Sequence, residues 1–205
     1  MRGQNPDSPC ALGLAPHSGW AAAVLLQGPR RAPRVLARER LVLADPALEG
    51  SRQPFHALEA LALPEAHRRL ARFEAAALAL ATAALGQLGE LARRAGTPLV
   101  AAGILDSAAR SGATLEAILA SHALIHSADG HHFRAALAQA GAAQGLTVTR
   151  IAQRDLPGRA QRALGRSEGE LGREVARLGH GLGAPWGADQ KCAALLAWLL
   201  LADAG

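Results

Sequence analysis

Residues 11–26 have the sequence ALGLAPHSGWAAAVLL, and this stretch decides the predicted fold. Two short apolar runs, Ala11 to Leu14 and Trp20 to Leu26, flank the turn-forming residues 16–19. Such a pattern predicts two antiparallel strands joined by a tight turn. A further run, Val35 to Leu43, alternates apolar and charged residues, which predicts a third antiparallel strand with at least one solvent-exposed end.

The rest of the chain alternates helical patterns with short apolar runs. A long helix is predicted from Pro64 to Arg94, because apolar residues recur there at three- and four-residue steps. Buried parallel strands are predicted at Pro98 to Leu105 and at Leu146 to Ile151. Another helix is predicted from Thr114 to Leu124, and the next begins at a cap, Ser127 or Asp129, and runs to Gly145. Three further helices are predicted at residues 157–164, 167–178 and 188–202.

This order of elements predicts an α/β fold. Three hairpin-connected strands followed by two helix-linked strands is the ribonuclease H-like order, in which the last two strands lie parallel to the first. We therefore predict a ribonuclease H-like five-stranded mixed sheet flanked by helices, with Ala11 to Leu14 as its central strand. Residues 1–9 are predicted to form a flexible N-terminal tail and residues 10–205 a single domain.

Composition limits the class of protein. Cys10 and Cys192 lack paired spacing, so we expect reduced thiols and a cytoplasmic location. The longest apolar run, Cys192 to Ala202, is shorter than the roughly 20 residues that cross a bilayer, so no membrane partner is predicted. The net charge of +5 is moderate, and Lys191 is the only lysine.

Residues 12–19, LGLAPHSG, resemble the opening of RuvC-type Holliday-junction resolvases. In that family an aspartate ends the first strand before a Pro-Gly-Ser turn. Pro16 and Ser18 match this motif, whereas Ala15 stands at the position of the aspartate. The resemblance therefore implies that one acidic group of the family's active site is missing.

The second half of the chain adds to the resemblance. Residues 134–151 are similar to the family's helix and fifth strand, and 155–157, DLP, to the turn that follows. Residues 184–189, APWGAD, lead into an alanine-rich helix as the family's Asp-Ala-Ala-Asp segment does. On that comparison Asp189 matches the first aspartate and Cys192 replaces the second.

The resemblance implies a two-metal nuclease core, with magnesium or another divalent metal as cofactor and DNA or RNA as partner. Its carboxylates would lie on the first strand, the fourth strand and the last helix. Two neighbouring ions need at least three acidic groups, since magnesium takes hard oxygen ligands. Ala15 offers none, the run Pro98 to Leu105 contains no acid, and Asp106 lies just past it. The ordinary mechanism is therefore expected to be lost, or rebuilt from other residues.

A polar cluster near the middle of the chain is the first candidate site. His122 and His126 are four residues apart, which is ligand spacing for a transition metal if one helix carries both. Asp129 could complete a set of two histidines and one carboxylate, or it could only cap the next helix. The predicted metal ligands are Asp129, Asp189, His122 and His126.

The second candidate site is a pocket at the ends of the central strands. His17 could act as a general base or phosphate contact, and the alternative is that it only forms the turn. Asp189 could be an N-cap, but the topology brings it towards the same strand ends. We predict a pocket for a phosphate-bearing ligand there. Its catalytic residues would be His17, Asp129, Asp189 and Lys191, with Ser18 and Arg134 as binding residues.

Three functions remain compatible with the sequence. The first is a resolvase-related protein that binds or processes nucleic acid through a non-standard or degenerate metal site. The second is a catalytically inactive scaffold or interaction domain, whose Ala- and Leu-rich helices could form a homodimer. The third is a small phosphate- or nucleotide-binding protein, although no glycine-rich phosphate loop is present. The sequence leaves open whether nuclease activity is retained.

Overall fold

The computed structural model describes residues 9–107 and 112–203, so the predicted tail, residues 1–9, lies outside the described residues except for Pro9. The strands are β1 (Cys10–His17), β2 (Trp20–Gln27), β3 (Arg34–Val42), β4 (Leu99–Asp106) and β5 (Thr147–Ala152). The helices are α1 (Leu63–Arg94), α2 (Leu115–Leu119), α3 (His122–Ala143), α4 (Leu156–Leu164), α5 (Glu168–Leu178) and α6 (Ala188–Asp203). A short 3-10 turn spans His56–Leu58.

The five strands form one mixed sheet in the order β3-β2-β1-β4-β5. β1 pairs antiparallel with β2, and β2 pairs antiparallel with β3. β4 lies parallel to β1 on its other side, and β5 parallel to β4. The β1–β2 hairpin closes through Ser18 and Gly19, and Gly19 has a φ of +81°, which favours glycine. The predicted mixed sheet with β1 at its centre is confirmed.

Helices cover both faces of the sheet. Side chains alternate along β1, so that Leu12 and Leu14 pack in the core with α1 and α3, while Ala11 and Ala15 pack in the core with α6. α6 also contacts α4 and α5 on that side. It is apolar almost all round because neighbours surround it, and its Trp198 is buried.

The start of α3 differs from the prediction. A new helix was expected after a cap at Ser127 or Asp129, but α3 begins at His122 and runs through both residues. The Ser127 hydroxyl donates to the Ala123 carbonyl one turn earlier, and Asp129 is buried with partners outside the helix. One continuous helix therefore carries His122, His126 and Asp129.

α1 is the one described helix that is long and apolar enough to cross a membrane, judged by length and composition alone. Its most apolar window has a mean hydropathy of 1.4, and 28% of that window is buried. Here α1 packs on the sheet and on α3 through residues such as Phe73, Ala77 and Leu85. One such helix is weak evidence for a membrane segment, because core helices pass the same test.

Candidate functional site

The candidate site lies where the parallel strands end. β1, β4 and β5 finish at His17, Asp106 and Ala152, and the register pairs Asp106 with Ala152. We call the region at these three strand ends the strand-end edge. Ligand sites of open α/β sheets commonly lie outside the carboxyl ends of the strands. Ala15, two residues before the end of β1, is 4% exposed and packs in the core under α6. It presents only a methyl group to this region.

Asp106 is held by two arginines. Its Oδ2 accepts a hydrogen bond from Arg150 Nε at 2.9 Å, and its Oδ1 lies 3.8 Å from Arg134 Nε. Oδ1 also accepts from the Ser107 backbone N–H at 2.9 Å. The Asp106 side chain is only 10% exposed. The single acid at the end of β4 is therefore already neutralised by protein cations.

Arg134 bridges the ends of β1 and β4. Its Nε donates to the Leu105 carbonyl at 3.0 Å, and its Nη2 to the Pro16 carbonyl at 3.2 Å. A third bond runs from Nη1 to the Gly130 carbonyl on its own helix. Burial lowers the pKa of Arg134, and the carboxylate of Asp106 opposes this shift. An arginine stays protonated in proteins, so a permanent cation lies across the two strand ends.

His17 and Asp189 meet on the exposed side of the same edge. His17 Nε2 lies 3.0 Å from Asp189 Oδ1, and the two side chains are 41% and 37% exposed. The His17 ring stacks on Trp20 with centroids 4.3 Å apart and planes at 11°. The Arg40 guanidinium carbon lies 3.6 Å from the centroid of the Trp20 ring. We call Asp189, His17, Trp20 and Arg40 the surface stack.

The rest of the predicted pocket is only partly assembled. Ser18 is exposed in the β1–β2 turn, next to the surface stack. Lys191 is exposed in the first turn of α6. It follows Asp189 by two residues, and helical residues at that spacing do not face each other. The ammonium therefore lies on another side of the helix from the carboxylate.

Asp129 belongs to a different cluster, so the predicted grouping of Asp129 with Asp189 is wrong. It is 3% exposed, and its two oxygens accept from the Phe55 backbone N–H at 2.7 Å and from His56 Nδ1 at 2.5 Å. His122 and His126 lie beside His56 rather than beside Asp189. The cause is the continuous α3 helix, which points Asp129 towards the segment before α1.

A three-histidine cluster results. His56, His122 and His126 each present a ring nitrogen within 4.8 Å of those of the other two. Within residues 9–107 and 112–203 this is the one group of three or more potential metal-binding side chains at such distances. His56 was missed because it lies far upstream of α3 in a proline-containing connection without regular spacing.

The loop before α6 is positioned by an arginine. The Arg38 Nη1 donates to the Gly183 and Pro185 carbonyls, each at 2.8 Å, and its Nη2 donates to the Leu182 and Ala184 carbonyls at 3.3 Å. These bonds hold the loop before α6 against β3. They thereby help to place the first turn of α6, and with it Asp189.

A cleft of about 600 Å³ lies between α1 and α3, and Glu74, His131 and His132 are among the residues that line it. Burial raises the pKa of Glu74. Burial also lowers the pKa of His132 to about 4. Among the described residues, the Nε2 atom of His132 has no hydrogen-bond partner.

Comparisons with known proteins are informative for the fold. No protein-family model and no curated protein matches this chain. Thermus thermophilus RuvC in complex with a Holliday junction substrate matches with a TM-score of 0.53 and 13% identity, covering 96% of this chain and 94% of that one. A second structure of Thermus thermophilus RuvC has the same TM-score and identity and covers 95% of both chains. At this level of identity the likeness shows the ribonuclease H-like fold over nearly the whole chain, and it shows the fold alone.

Proposed function

We propose that this chain binds branched or otherwise structured nucleic acid at the strand-end edge and lacks a two-metal nuclease centre. The surface stack carries the proposal, because it places an aromatic ring, an arginine and a histidine side by side on that edge. The fold similarity to a RuvC bound to a Holliday junction agrees with this assignment.

The chemistry of the surface stack suits a nucleic acid. Arginine binds phosphate through its planar fork and also stacks on rings, so Arg40 can serve both phosphates and bases. Ser18 is exposed in the β1–β2 turn beside the surface stack and adds a hydroxyl donor for backbone contacts. The net charge of +5 attracts a polyanion over longer range.

The residues of the strand-end edge do not fit two magnesium ions. Asp106 is paired with two arginines, and Asp189 is paired with His17. Burial, followed by the charge of Asp189, raises the pKa of the Cys192 thiol, so this residue is not a substitute carboxylate. Two adjacent divalent ions need several free oxygen ligands, and the Arg134 cation repels them. We therefore derive no metal-dependent cleavage step.

Binding can be measured by fluorescence anisotropy with a labelled four-way DNA junction and a duplex of equal length. We expect Arg40→Ala to weaken junction binding. We also expect each lost phosphate contact to reduce the slope of log K against log salt by about 0.9. The matched control is Arg94→Ala, because Arg94 is exposed at the far end of α1 and pairs with Glu90. Equal effects of Arg40→Ala and Arg94→Ala would contradict the proposed surface.

Cleavage is tested separately with the same junction in magnesium or manganese. We expect little or no product from the wild-type protein. We also expect Ala15→Asp to remain inactive, since Arg134 still lies across the strand ends in that variant. Robust wild-type cleavage that disappears in Asp189→Asn would show that a nuclease centre has been rebuilt from other residues.

A further inference from the structure

We infer that His56, His122 and His126 bind one transition-metal ion of the zinc class, with Asp129 as the positioning residue for His56. This site is independent of the proposed nucleic-acid surface and uses none of its residues. Three imidazoles form a ligand set that suits zinc and its first-row neighbours, in contrast to the oxygen ligands that magnesium requires.

The spacing of the three nitrogens suits a single ion. All lie within 4.8 Å of one another, and the Nε2 atoms of His122 and His126 are 3.1 Å apart. A tetrahedral zinc ion with bonds of 2.0 to 2.1 Å separates its ligand nitrogens by about 3.3 Å. Small side-chain rotations would therefore bring all three nitrogens to ligand distance.

Asp129 determines which nitrogen of His56 faces the cluster. The His56 Nδ1–H donates to Asp129 Oδ2, so the Nε2 lone pair is left for a metal. A carboxylate behind a ligand histidine orients the ring and strengthens it as a donor, which is a recurring feature of zinc sites. The other oxygen of Asp129 accepts from the Phe55 N–H, so the carboxylate itself is held in place.

The cluster is also well supported by the fold. His122 and His126 lie one turn apart on α3, whose Ile125 is completely buried between them. His56 lies in the 3-10 turn that is anchored by the buried Leu58. Both exposed histidines remain accessible to an ion from solvent. Three protein ligands leave one tetrahedral position for water or another small ligand.

The test uses the full chain after treatment with EDTA, titrated with Co(II) and followed by visible absorption. We expect one Co(II) per chain, with the intense visible bands of a tetrahedral site, and displacement of those bands by one equivalent of Zn(II). His122→Ala and His126→Ala should abolish the bands. Both residues are exposed, so these variants should keep the wild-type far-UV circular dichroism. His67→Ala, at an exposed histidine on α1, is the matched control and should bind as the wild type does.

Asp129→Asn tests the positioning role by competition with a chromophoric chelator. We expect the affinity for Zn(II) to fall by about 10- to 100-fold in folded protein, while the visible Co(II) bands persist at saturation. Absence of a tetrahedral Co(II) spectrum at millimolar metal would overturn the inference. So would a spectrum that survives unchanged in folded His122→Ala and His126→Ala.

Discussion

At the scale of single residues, His132 shows how burial changes chemistry. The ring is 7% exposed, and its pKa is lowered to about 4. Burial is the main cause of this decrease. A hydrogen bond to the Phe73 backbone opposes the decrease, and the charge of the neighbouring His131 contributes to it. The ordinary pKa of histidine is near 6.5. The imidazole is therefore neutral in the folded protein at pH values where the unfolded chain already binds a proton.

This difference predicts a pH dependence of stability. Between pH 6.5 and pH 4 the unfolded state binds more protons at His132, so the free energy of unfolding decreases as the pH is lowered. The shift corresponds to about 3 kcal/mol as an upper value. Urea unfolding at several pH values should show a smaller slope for His132→Leu than for the wild type. His67→Ala is the control and should keep the wild-type slope; equal slopes for wild type and His132→Leu would refute the prediction.

At the scale of elements, two glycines allow α6 to approach the sheet closely. A Cβ atom on Gly13 of β1 would lie 1.8 Å from the Ala193 carbonyl oxygen of α6. A Cβ atom on Gly103 of β4 would lie 2.6 Å from the Leu196 side chain. The first obstacle is helix backbone, which cannot move alone, whereas the second is a side chain that can change rotamer.

These contacts predict unequal costs of substitution. We expect Gly13→Ala to reduce the free energy of unfolding by about 3 kcal/mol or more, and Gly103→Ala by about 1 to 2 kcal/mol. Combining Gly103→Ala with Leu196→Ala should cost less than the sum of the single changes, because they share one contact. Gly89→Ala on α1 meets nothing within 4 Å and should stabilise by up to about 1 kcal/mol. Denaturant unfolding of the wild type, the four single variants and the double variant measures these differences, and equal costs at Gly13 and Gly103 would contradict the argument.

At the scale of the whole molecule, one sheet joins two helical layers. Trp198 lies in the core under α6 and the partly buried Trp20 and Trp186 pack against that core, while the long helices α1 and α3 pack on the opposite face. Tryptophan fluorescence therefore reports on one layer, and far-UV circular dichroism reports strongly on the other. If residues 10–205 form a single domain as predicted, both signals should change in one coincident thermal or urea transition. Separated midpoints would mean that the two layers unfold independently.

The order of elements and the lack of an acid at Ala15 followed from the sequence alone. The alternation from Val35 to Leu43, the turn at Ser18 and Gly19, and the apolar spacing from Pro64 to Arg94 are local patterns. They are local because a buried face recurs every two residues along a strand and every three to four residues along a helix. Turns and caps likewise involve residues that are close in the chain. The predicted spacing of His122 and His126 on one helix face was local in the same sense.

The partners of the site residues were decided only by the tertiary structure. Asp129 binds His56, which is 73 residues away, and Arg134 reaches the Pro16 carbonyl across 118 residues. Such contacts depend on how the connection after β3 folds back over α3 and on how closely β1 and β4 pair. Asp129 was therefore predicted to lie beside Asp189, although a continuous α3 helix directs it to His56. Sequence periodicity records which face of an element is buried, but only the packed chain determines which distant side chain meets it there.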